Sequence, residues 1–202
     1  AIVAEALQGS ALKMGAQNMY WEDKGAFTGE IAPGMLKDAG CVYVIIGHSE
    51  RRQYFGETDG TVNKKMKKAF QSGLLPIVCI GETLAERESD KTFQVLERQV
   101  REGMSGLSNE EANKMVVAYE PVWAIGTGKT ATPQQAEEAH KFIRQKFGEI
   151  YSPAIAEEIR ILYGGSVKPE NCKELMGLAN IDGALVGGAS LEVESFSKIV
   201  NY

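Results

Sequence analysis

Glu120 is the residue around which a proton-transfer site is predicted. It follows Val116 to Tyr119, an apolar run with β-branched residues that is typical of a buried strand. Pro121 comes next, and because proline has no N–H to give to a sheet, the strand is expected to end there. A carboxylate at the end of a buried strand lies where the core meets a pocket, so Glu120 is a candidate general base. The alternative interpretation is a surface loop after a strand that ends in glutamate.

The residues after Glu120 predict a lid over its carboxylate. Val122 and Trp123 are apolar anchors at the start of this loop. Gly126-Thr127-Gly128 favours a mobile segment in the middle of the loop. The segment from Gly126 to Thr130 partly imitates the end of a Walker A loop. The first glycine of that motif would fall on Val122 or Trp123, so the motif is rejected and Lys129 is assigned to a hinge.

His48 is the second candidate for chemistry. It ends the apolar run Cys41 to Gly47, which is typical of a strand buried on both faces, and Ser49 to Arg52 follow it. A histidine satisfied within the core is the alternative, but a core histidine does not need a run of five polar residues. His140 lies in a predicted helix of mixed polarity and is interpreted as a core residue. Two histidines without clustered acids argue against a catalytic metal.

Two glycine-rich turns predict an anion site. Gly164-Gly165-Ser166 and Gly187-Gly188 each lie between a predicted strand and a predicted helix. Backbone N–H groups in such turns approach a phosphate closely, and a helix N-terminus adds partial positive charge. Tight turns that need positive φ are the alternative. A base, an imidazole, a phosphate site and a lid, with no metal or cofactor, together suit proton abstraction beside a carbonyl of a small phosphorylated substrate.

Alternating strands and helices must position these residues. Strands are predicted at Ala11 to Asn18, Cys41 to Gly47, Leu75 to Gly81, Val116 to Glu120, Arg160 to Tyr163 and Ile181 to Val186. Helices are predicted at Ala1 to Gln8, Pro33 to Ala39, Glu57 to Gln71, Thr92 to Gly103, Asn109 to Asn113, Gln134 to Phe147, Pro153 to Glu158, Pro169 to Met176 and Val193 to Val200. Six strand–helix units in one domain indicate an α/β fold with a parallel sheet. A barrel and an open doubly wound sheet both place polar residues at the carboxyl ends of their strands, so periodicity does not choose between them.

The long excursion from Met19 to Pro33 predicts a contact with a second subunit. It carries Tyr20, Trp21 and Phe27, and exposed aromatic side chains on a loop favour burial against a partner. A loop packed on itself is the alternative.

Bulk composition is that of an ordinary globular protein of 202 residues, with 44% hydrophobic and 24% charged residues. The net charge of -5 argues against a nucleic-acid partner and leaves any anionic substrate to be attracted by local dipoles. Three scattered cysteines fit a reducing cytoplasm, and neither a membrane span nor a signal peptide is visible. A cytoplasmic protein is therefore expected.

Four motifs resemble the triosephosphate isomerase family over essentially the whole chain. They are Tyr-Glu-Pro-Val-Trp-Ala-Ile-Gly-Thr-Gly-Lys from Tyr119, Gly-His-Ser-Glu-Arg-Arg from Gly47, Gly-Ala-Gln-Asn from Gly15 and Tyr-Gly-Gly-Ser-Val from Tyr163. The resemblance implies a TIM (β/α)8-type barrel that interconverts dihydroxyacetone phosphate and glyceraldehyde 3-phosphate through an enediolate, in glycolysis and gluconeogenesis, without a cofactor.

The resemblance also implies a role for each matching residue. Glu120 would be the base, His48 the electrophile and Glu50 a supporting carboxylate. The lid tip would be Ile125, Gly126, Thr127 and Gly128, and the phosphate would be held by N–H groups of Gly126, Ser166, Gly187 and Gly188. The loop carrying Tyr20, Trp21, Phe27 and Thr28 would dock into a second subunit of a homodimer.

The chain departs from the family at its beginning. The family opens with a strand carrying Asn-Trp-Lys-Met-Asn, then a helix and a second strand, and none of these precedes Ala1 in this sequence. An incomplete barrel with open edges near Ala11 to Asn18 and Ile181 to Val186 is therefore expected, without a lysine whose loss typically costs about 10²- to 10³-fold in rate. Three interpretations follow: part of a longer enzyme, a truncated chain with little or no activity, or an oligomerising or anion-binding scaffold.

Overall fold

Six strands form one parallel sheet in the computed structural model, which describes residues 2–127 and 129–202. The strands are β1 (Gly15–Ala16), β2 (Tyr43–Ile46), β3 (Leu75–Ile80), β4 (Val116–Tyr119), β5 (Arg160–Tyr163) and β6 (Gly183–Ala184). Their order in the sheet is their order in the chain, and each neighbouring pair is parallel. The predicted α/β fold of six strand–helix units is confirmed.

The two outer strands are shorter than predicted. The segments from Ala11 to Asn18 and from Ile181 to Val186 contribute only β1 and β6, which have two residues each. Each of them has a neighbour on one side only, so a regular ladder forms just where it meets β2 or β5. Within the described residues β1 and β6 do not pair with each other, and the sheet is open as expected.

Eleven α-helices occur in the described part of the chain. They are α1 (Ile2–Ala6), α2 (Pro33–Asp38), α3 (Ser49–Tyr54), α4 (Asp59–Gln71), α5 (Leu84–Glu88), α6 (Thr92–Gly103), α7 (Asn109–Lys114), α8 (Pro133–Ile150), α9 (Pro153–Glu158), α10 (Pro169–Met176) and α11 (Val193–Val200). Short 3₁₀ helices span Val122–Ala124 and Gly188–Leu191. The sequence analysis missed α3 and α5, although Thr83 and Glu86 form a capping box at the start of α5 that the sequence could have indicated.

Three amphipathic helices, α4, α6 and α8, supply much of the core. The buried residues of α8 follow helical spacing: Ala136, Ala139, His140, Ile143 and Phe147. Thr132 accepts a hydrogen bond from the N–H of Gln135 and caps α8, and Ser108 caps α7 in the same way.

The register of the sheet brings the predicted chemical residues to one edge. Tyr119 is aligned with Ile80 on one side and with Tyr163 on the other, so Glu120 and Gly164 follow neighbouring strands at the same level. All four residues of β4 are buried, which is the environment expected for a strand covered on both faces. The candidate site therefore lies on the carboxyl edge of the sheet.

Candidate active site

A cavity of about 680 Å³ opens at the carboxyl ends of the strands. Its lining includes most of the predicted site residues: His48, Glu50, Glu120, Ile125, Gly126, Ser166, Gly187 and Gly188. Thr127 is not among the lining residues, and Gly128, the fourth residue of the predicted lid tip, lies outside the described residues. Loops that are far apart in the chain thus meet around one space.

Glu120 and His48 are in direct contact beside this cavity. The Nε2 atom of His48 is 2.9 Å from Oε1 of Glu120, and the N–H of Ser49 donates to Oε2 of Glu120 at 2.9 Å. The glutamate is only 2% exposed. A buried carboxylate that is bonded through both oxygens is held in a defined place, as a positioned base must be.

Gly164 leaves room for the base. A Cβ atom at this position would lie 2.8 Å from Cγ of Glu120, closer than real Cβ contacts allow. Gly164 has negative φ, as do Gly165, Gly187 and Gly188, so the alternative that these turns need positive φ is wrong. At Gly164 the reason for glycine is the close approach of Glu120.

The position of His48 at the start of α3 decides which of its ring nitrogens carries hydrogen. Nδ1 accepts a hydrogen bond from the N–H of Glu50 at 3.3 Å, so the hydrogen of a neutral ring lies on Nε2 and points to Glu120. The hydrogen bond to Glu120 raises the pKa of His48 above its ordinary value. Partial burial of the ring opposes this rise, and the charges of Glu120, Glu50 and Glu57 add to it.

Glu50 approaches the imidazole of His48 more closely with its backbone N–H than with its carboxylate. Its side chain is 66% exposed and Oε2 lies 3.8 Å from Nδ1 of His48. The nearer interaction is the N–H donated to Nδ1. The carboxylate remains within reach of the cavity that it lines.

Four backbone N–H groups around the cavity have no acceptor among the described residues. They belong to the predicted phosphate-binding residues: Gly126, Ser166, Gly187 and Gly188. A Cβ at Gly187 or Gly188 would meet no atom within 4 Å, so these two glycines border open space. Unpaired donors beside an open space favour binding of an anion.

The start of the lid, at Val122 and Trp123, is fixed to a buried carboxylate, Glu82. Its side chain accepts hydrogen bonds from Nε1 of Trp123 at 2.8 Å, from the hydroxyl of Tyr119 at 3.1 Å and from Arg87 at 2.9 Å. Its carbonyl also accepts the N–H of Val122 at 3.1 Å. The tip is held only locally, because the Thr127 hydroxyl donates to the carbonyl of Trp123 at 2.7 Å. The start of the lid is thus fixed, and Gly126 and Thr127 at its tip are exposed, while the mobile middle stays a prediction.

Trp123→Phe should weaken this anchor. The substitution removes a hydrogen bond to a buried charged group, so the free energy of unfolding should fall by about 1.5–3 kcal/mol. Urea unfolding of the variant and the wild type measures the difference. Phe93→Leu, which changes a partly exposed ring of α6 without removing a hydrogen bond, is the control and should lose clearly less. An equal loss in both variants would contradict the assigned role of the bond to Glu82.

The cavity wall includes polar residues that were not selected from the sequence, among them Gln17, Asn18 and Lys168. Gln17 and Asn18 follow β1 directly, and Lys168 precedes α10. The signal for Gln17 and Asn18 was available, because they are polar residues at a strand end, as His48 is. Glu82 also follows a strand, but its contact with Trp123 depends on tertiary packing.

The loop from Met19 to Pro33 is closed and carries a packed aromatic cluster. The N–H of Tyr20 donates to the carbonyl of Ile31 at 2.9 Å. The Tyr20 ring lies 4.1 Å from that of Trp21 and 4.8 Å from that of Phe27. Self-packing, the alternative interpretation of this loop, is thus present, while Phe27 stays 42% exposed and Thr28 is also exposed.

His140 is buried in the core, as predicted. Its Nδ1 lies 3.2 Å from the carbonyl oxygen of Asn180, and its Nε2 has no partner among the described residues. Burial lowers its pKa from 6.5 to about 4, against smaller effects that raise it, among them the Asn180 carbonyl and Asp182. The ring packs between Tyr119 and Tyr163 and takes no part in the cavity.

His140 should make the protein sensitive to acid. In the unfolded chain the ring binds a proton below about pH 6.5, and in the folded chain only below about pH 4, so stability is lost as the pH falls between these values. The full contribution is about 3 kcal/mol. Urea unfolding at pH 7 and pH 4.5 should show a smaller loss for His140→Gln than for the wild type. An equal loss of unfolding free energy in both proteins would contradict His140 as the source of the acid sensitivity.

Comparison with known proteins decides the family. The sequence model of triosephosphate isomerase matches residues 1–202. The chain belongs to the triosephosphate isomerase family. It is 63% identical to triosephosphate isomerase of Geobacter metallireducens over 200 residues, covering 99% of this chain and 80% of that protein. It is also 63% identical to the Moorella thermoacetica protein of the same name, covering 100% of this chain and 81% of that protein.

The fold agrees with a solved member of the family. The crystal structure of triosephosphate isomerase from Bartonella henselae superposes with a TM-score of 0.89 at 42% identity, over 98% of this chain and 79% of that chain. The six-stranded sheet is thus part of a TIM-barrel architecture, and the chain spans about four fifths of the length of these relatives. None of the described helices is long and apolar enough to cross a membrane.

Proposed function

We propose that the chain is a triose-phosphate isomerase that interconverts dihydroxyacetone phosphate and glyceraldehyde 3-phosphate. Support comes from the contact between a buried carboxylate, Glu120, and an imidazole, His48, beside a cavity with unpaired N–H donors. The relatives that share about 60% of its residues carry the name of this enzyme. The pair of Glu120 and His48 is the observation that carries the proposal.

Glu120 takes the proton in this mechanism. One oxygen of its carboxylate removes a proton from the carbon next to the substrate carbonyl, and the electron pair of the broken C–H bond forms the enediolate. The former carbonyl oxygen gains a proton and the hydroxyl oxygen on the deprotonated carbon loses one, a transfer that Nε2 of His48 would relay. The same carboxyl group then returns a proton to the former carbonyl carbon, which completes the exchange of aldehyde and ketone. No electron acceptor is needed, because one carbon is oxidised and the other reduced within the molecule.

His48 polarises the carbonyl. Its Nε2 hydrogen now points to Oε1 of Glu120, and a bound carbonyl oxygen would take the place of that acceptor. A glutamate base beside a neutral histidine is the arrangement for which this enzyme family is itself the standard example, and the contact between Glu120 and His48 supports these roles here. Because Glu120 is the main cause of the raised pKa, turning Glu120 toward the substrate favours the neutral ring, whose Nδ1 still accepts the N–H of Glu50. Glu50 is proposed as a supporting carboxylate beside this ring.

The phosphate of the substrate is proposed to bind at the N–H groups of Gly126, Ser166, Gly187 and Gly188. The net charge of -5 gives no long-range attraction for an anion, so these local dipoles must hold it. Gly126 belongs to the lid tip of Ile125 to Gly128, so phosphate binding and closure of the lid would be linked.

A dimer in the cytoplasm is also proposed for this chain, which we treat as one barrel domain. Tyr20, Trp21, Phe27 and Thr28 lie on the closed loop described above, and the exposed part of Phe27 is available for burial against a second copy. Sedimentation at micromolar concentration tests the oligomeric state.

The activity itself is tested by an assay of the purified 202-residue chain. Conversion of glyceraldehyde 3-phosphate to dihydroxyacetone phosphate is followed by reduction of the ketone with a coupled dehydrogenase. Turnover that depends on Glu120 supports the proposal. The open sheet favours a second candidate, an anion-binding scaffold, which predicts a folded chain that binds inorganic phosphate without turnover.

A further inference from the structure

Lys65 is a buried charged residue that the mechanism above does not use. It lies on α4 and is 3% exposed, and a lysine is almost never buried to this degree without partners. Its ammonium group contacts the carboxylate of Glu57 and donates to Oδ1 of Asn18 at 2.7 Å. These two partners lie on separate segments of the chain, one after α3 and the other after β1.

Glu57 connects Lys65 to the peptide that precedes His48. Its Oε2 accepts the N–H of Gly47 at 2.9 Å, and Nε of Arg51 donates to its Oε1 at 3.1 Å. Burial tends to raise the pKa of Glu57, but its hydrogen bonds and ion pairs with Lys65 and Arg51 outweigh burial and lower it. The carboxylate therefore stays ionised and remains a strong acceptor for Gly47.

Gly47 is fixed from both sides. Glu57 holds its N–H, and Nε of Arg52 donates to its carbonyl at 2.8 Å. Its φ of +74° is in the left-handed region, and a Cβ would lie 2.9 Å from Cγ2 of Val62, so another residue would not fit without a shift. The orientation of this peptide sets where His48 begins.

Asn18 is the second hydrogen-bond partner of Lys65. It lines the cavity just beyond β1, an edge strand with only two paired residues. So short a ladder holds the end of the strand weakly, and the hydrogen bond to Lys65 fixes it to α4. Lys65 thus joins the wall that carries Asn18 to the segment that carries His48.

We propose that Lys65 is a positioning residue that holds His48, through Glu57 and Gly47, and Asn18 in the geometry needed for isomerisation. This role rests on the proposed function of His48. Lys65 itself touches neither the cavity nor a reacting atom. Lys65 would affect the rate only through the position of His48 and Asn18, since a misplacement of about 1 Å at a catalytic group can cost about 10²-fold in rate.

Lys65→Met is the first test. The apolar chain fills a similar space, but Glu57 keeps only Arg51 as a cationic partner and Asn18 loses its donor. We expect kcat to fall about 10- to 100-fold while KM changes less than about threefold. Amide exchange at Gly47, followed by NMR, should become faster in the same variant.

Lys65→Ala provides a rescue experiment. Truncation at Cβ leaves a space for n-propylammonium, which supplies the missing methylenes and the ammonium group. Added n-propylammonium should restore part of kcat and of the protection at Gly47, and n-propanol should restore neither. A residue that only filled space would respond equally to both compounds.

Lys67→Met is the matched control on the same helix. Lys67 is only partly buried and forms no ion pair among the described residues, so its loss should leave kcat within about twofold. A folded Lys65→Met variant with wild-type kcat and wild-type exchange at Gly47 would overturn the inference. If the wild type itself has no isomerase activity, the proposed function fails, while exchange at Gly47 still tests the positioning role.

Discussion

Glu120→Asp is expected to lower kcat by about 10²- to 10⁴-fold with little change in KM, because general base catalysis contributes this much and the shorter side chain no longer reaches the proton. Glu120 is buried and bonded to Nε2 of His48 and to the N–H of Ser49. Removing one methylene moves the carboxylate away from the position that its contacts with His48 and Ser49 define. Steady-state kinetics in both directions of the reaction measure the effect.

Glu110→Asp is the control for this experiment. It makes the same chemical change in an exposed carboxylate of α7 that pairs with Lys114, and its kinetics should equal those of the wild type. A Glu120→Asp variant with a raised KM and an unchanged kcat would mean that Glu120 binds substrate and does not act as the base.

His48→Asn should lower kcat by about 10²- to 10³-fold, the typical loss for a preorganised donor to a developing oxyanion. Asparagine is polar, but its amide stops short of the position of Nε2. The variant should still bind inorganic phosphate, because the N–H groups of Gly187 and Gly188 are not altered. Kinetics and equilibrium binding of phosphate to the same preparation separate the two effects.

Loss of phosphate binding together with turnover would contradict the separate roles given to His48 and the glycine turns. His140→Gln is a useful comparison, since it removes the other histidine of the chain from the core. We expect it to change the pH dependence of unfolding and to leave catalysis close to the wild type at neutral pH.

The fold was predictable from the sequence where strands are buried on both faces. The strand predicted at Val116 to Glu120 is β4, which ends one residue earlier and has all four of its residues buried. The outer strands β1 and β6 were predicted too long, since a residue pattern does not show where one-sided pairing stops. The helix α3 was missed because its polar residues were interpreted only as part of the site, and α5 because its Thr83–Glu86 capping box was overlooked.

The residues of the candidate site could be predicted from the sequence, but the contacts that hold them could not. Glu120, His48 and the glycine turns could be selected because each follows a strand, and parallel strands bring such positions to one edge. The anchoring of Trp123 on Glu82 depends on side chains 41 residues apart. The buried contacts of Lys65 with Asn18 and Glu57 likewise join separate segments, and no local pattern in the sequence marks them.

Isomerisation in D₂O tests the central claim most directly. The wild-type chain is incubated with dihydroxyacetone phosphate, and the glyceraldehyde 3-phosphate formed is trapped and analysed by NMR. Because a proton held on Glu120 can exchange with solvent before it is returned, the product should carry deuterium at the newly protonated carbon. Product that contains only the hydrogen of the substrate would contradict proton transfer through Glu120, as would a folded chain that forms no product.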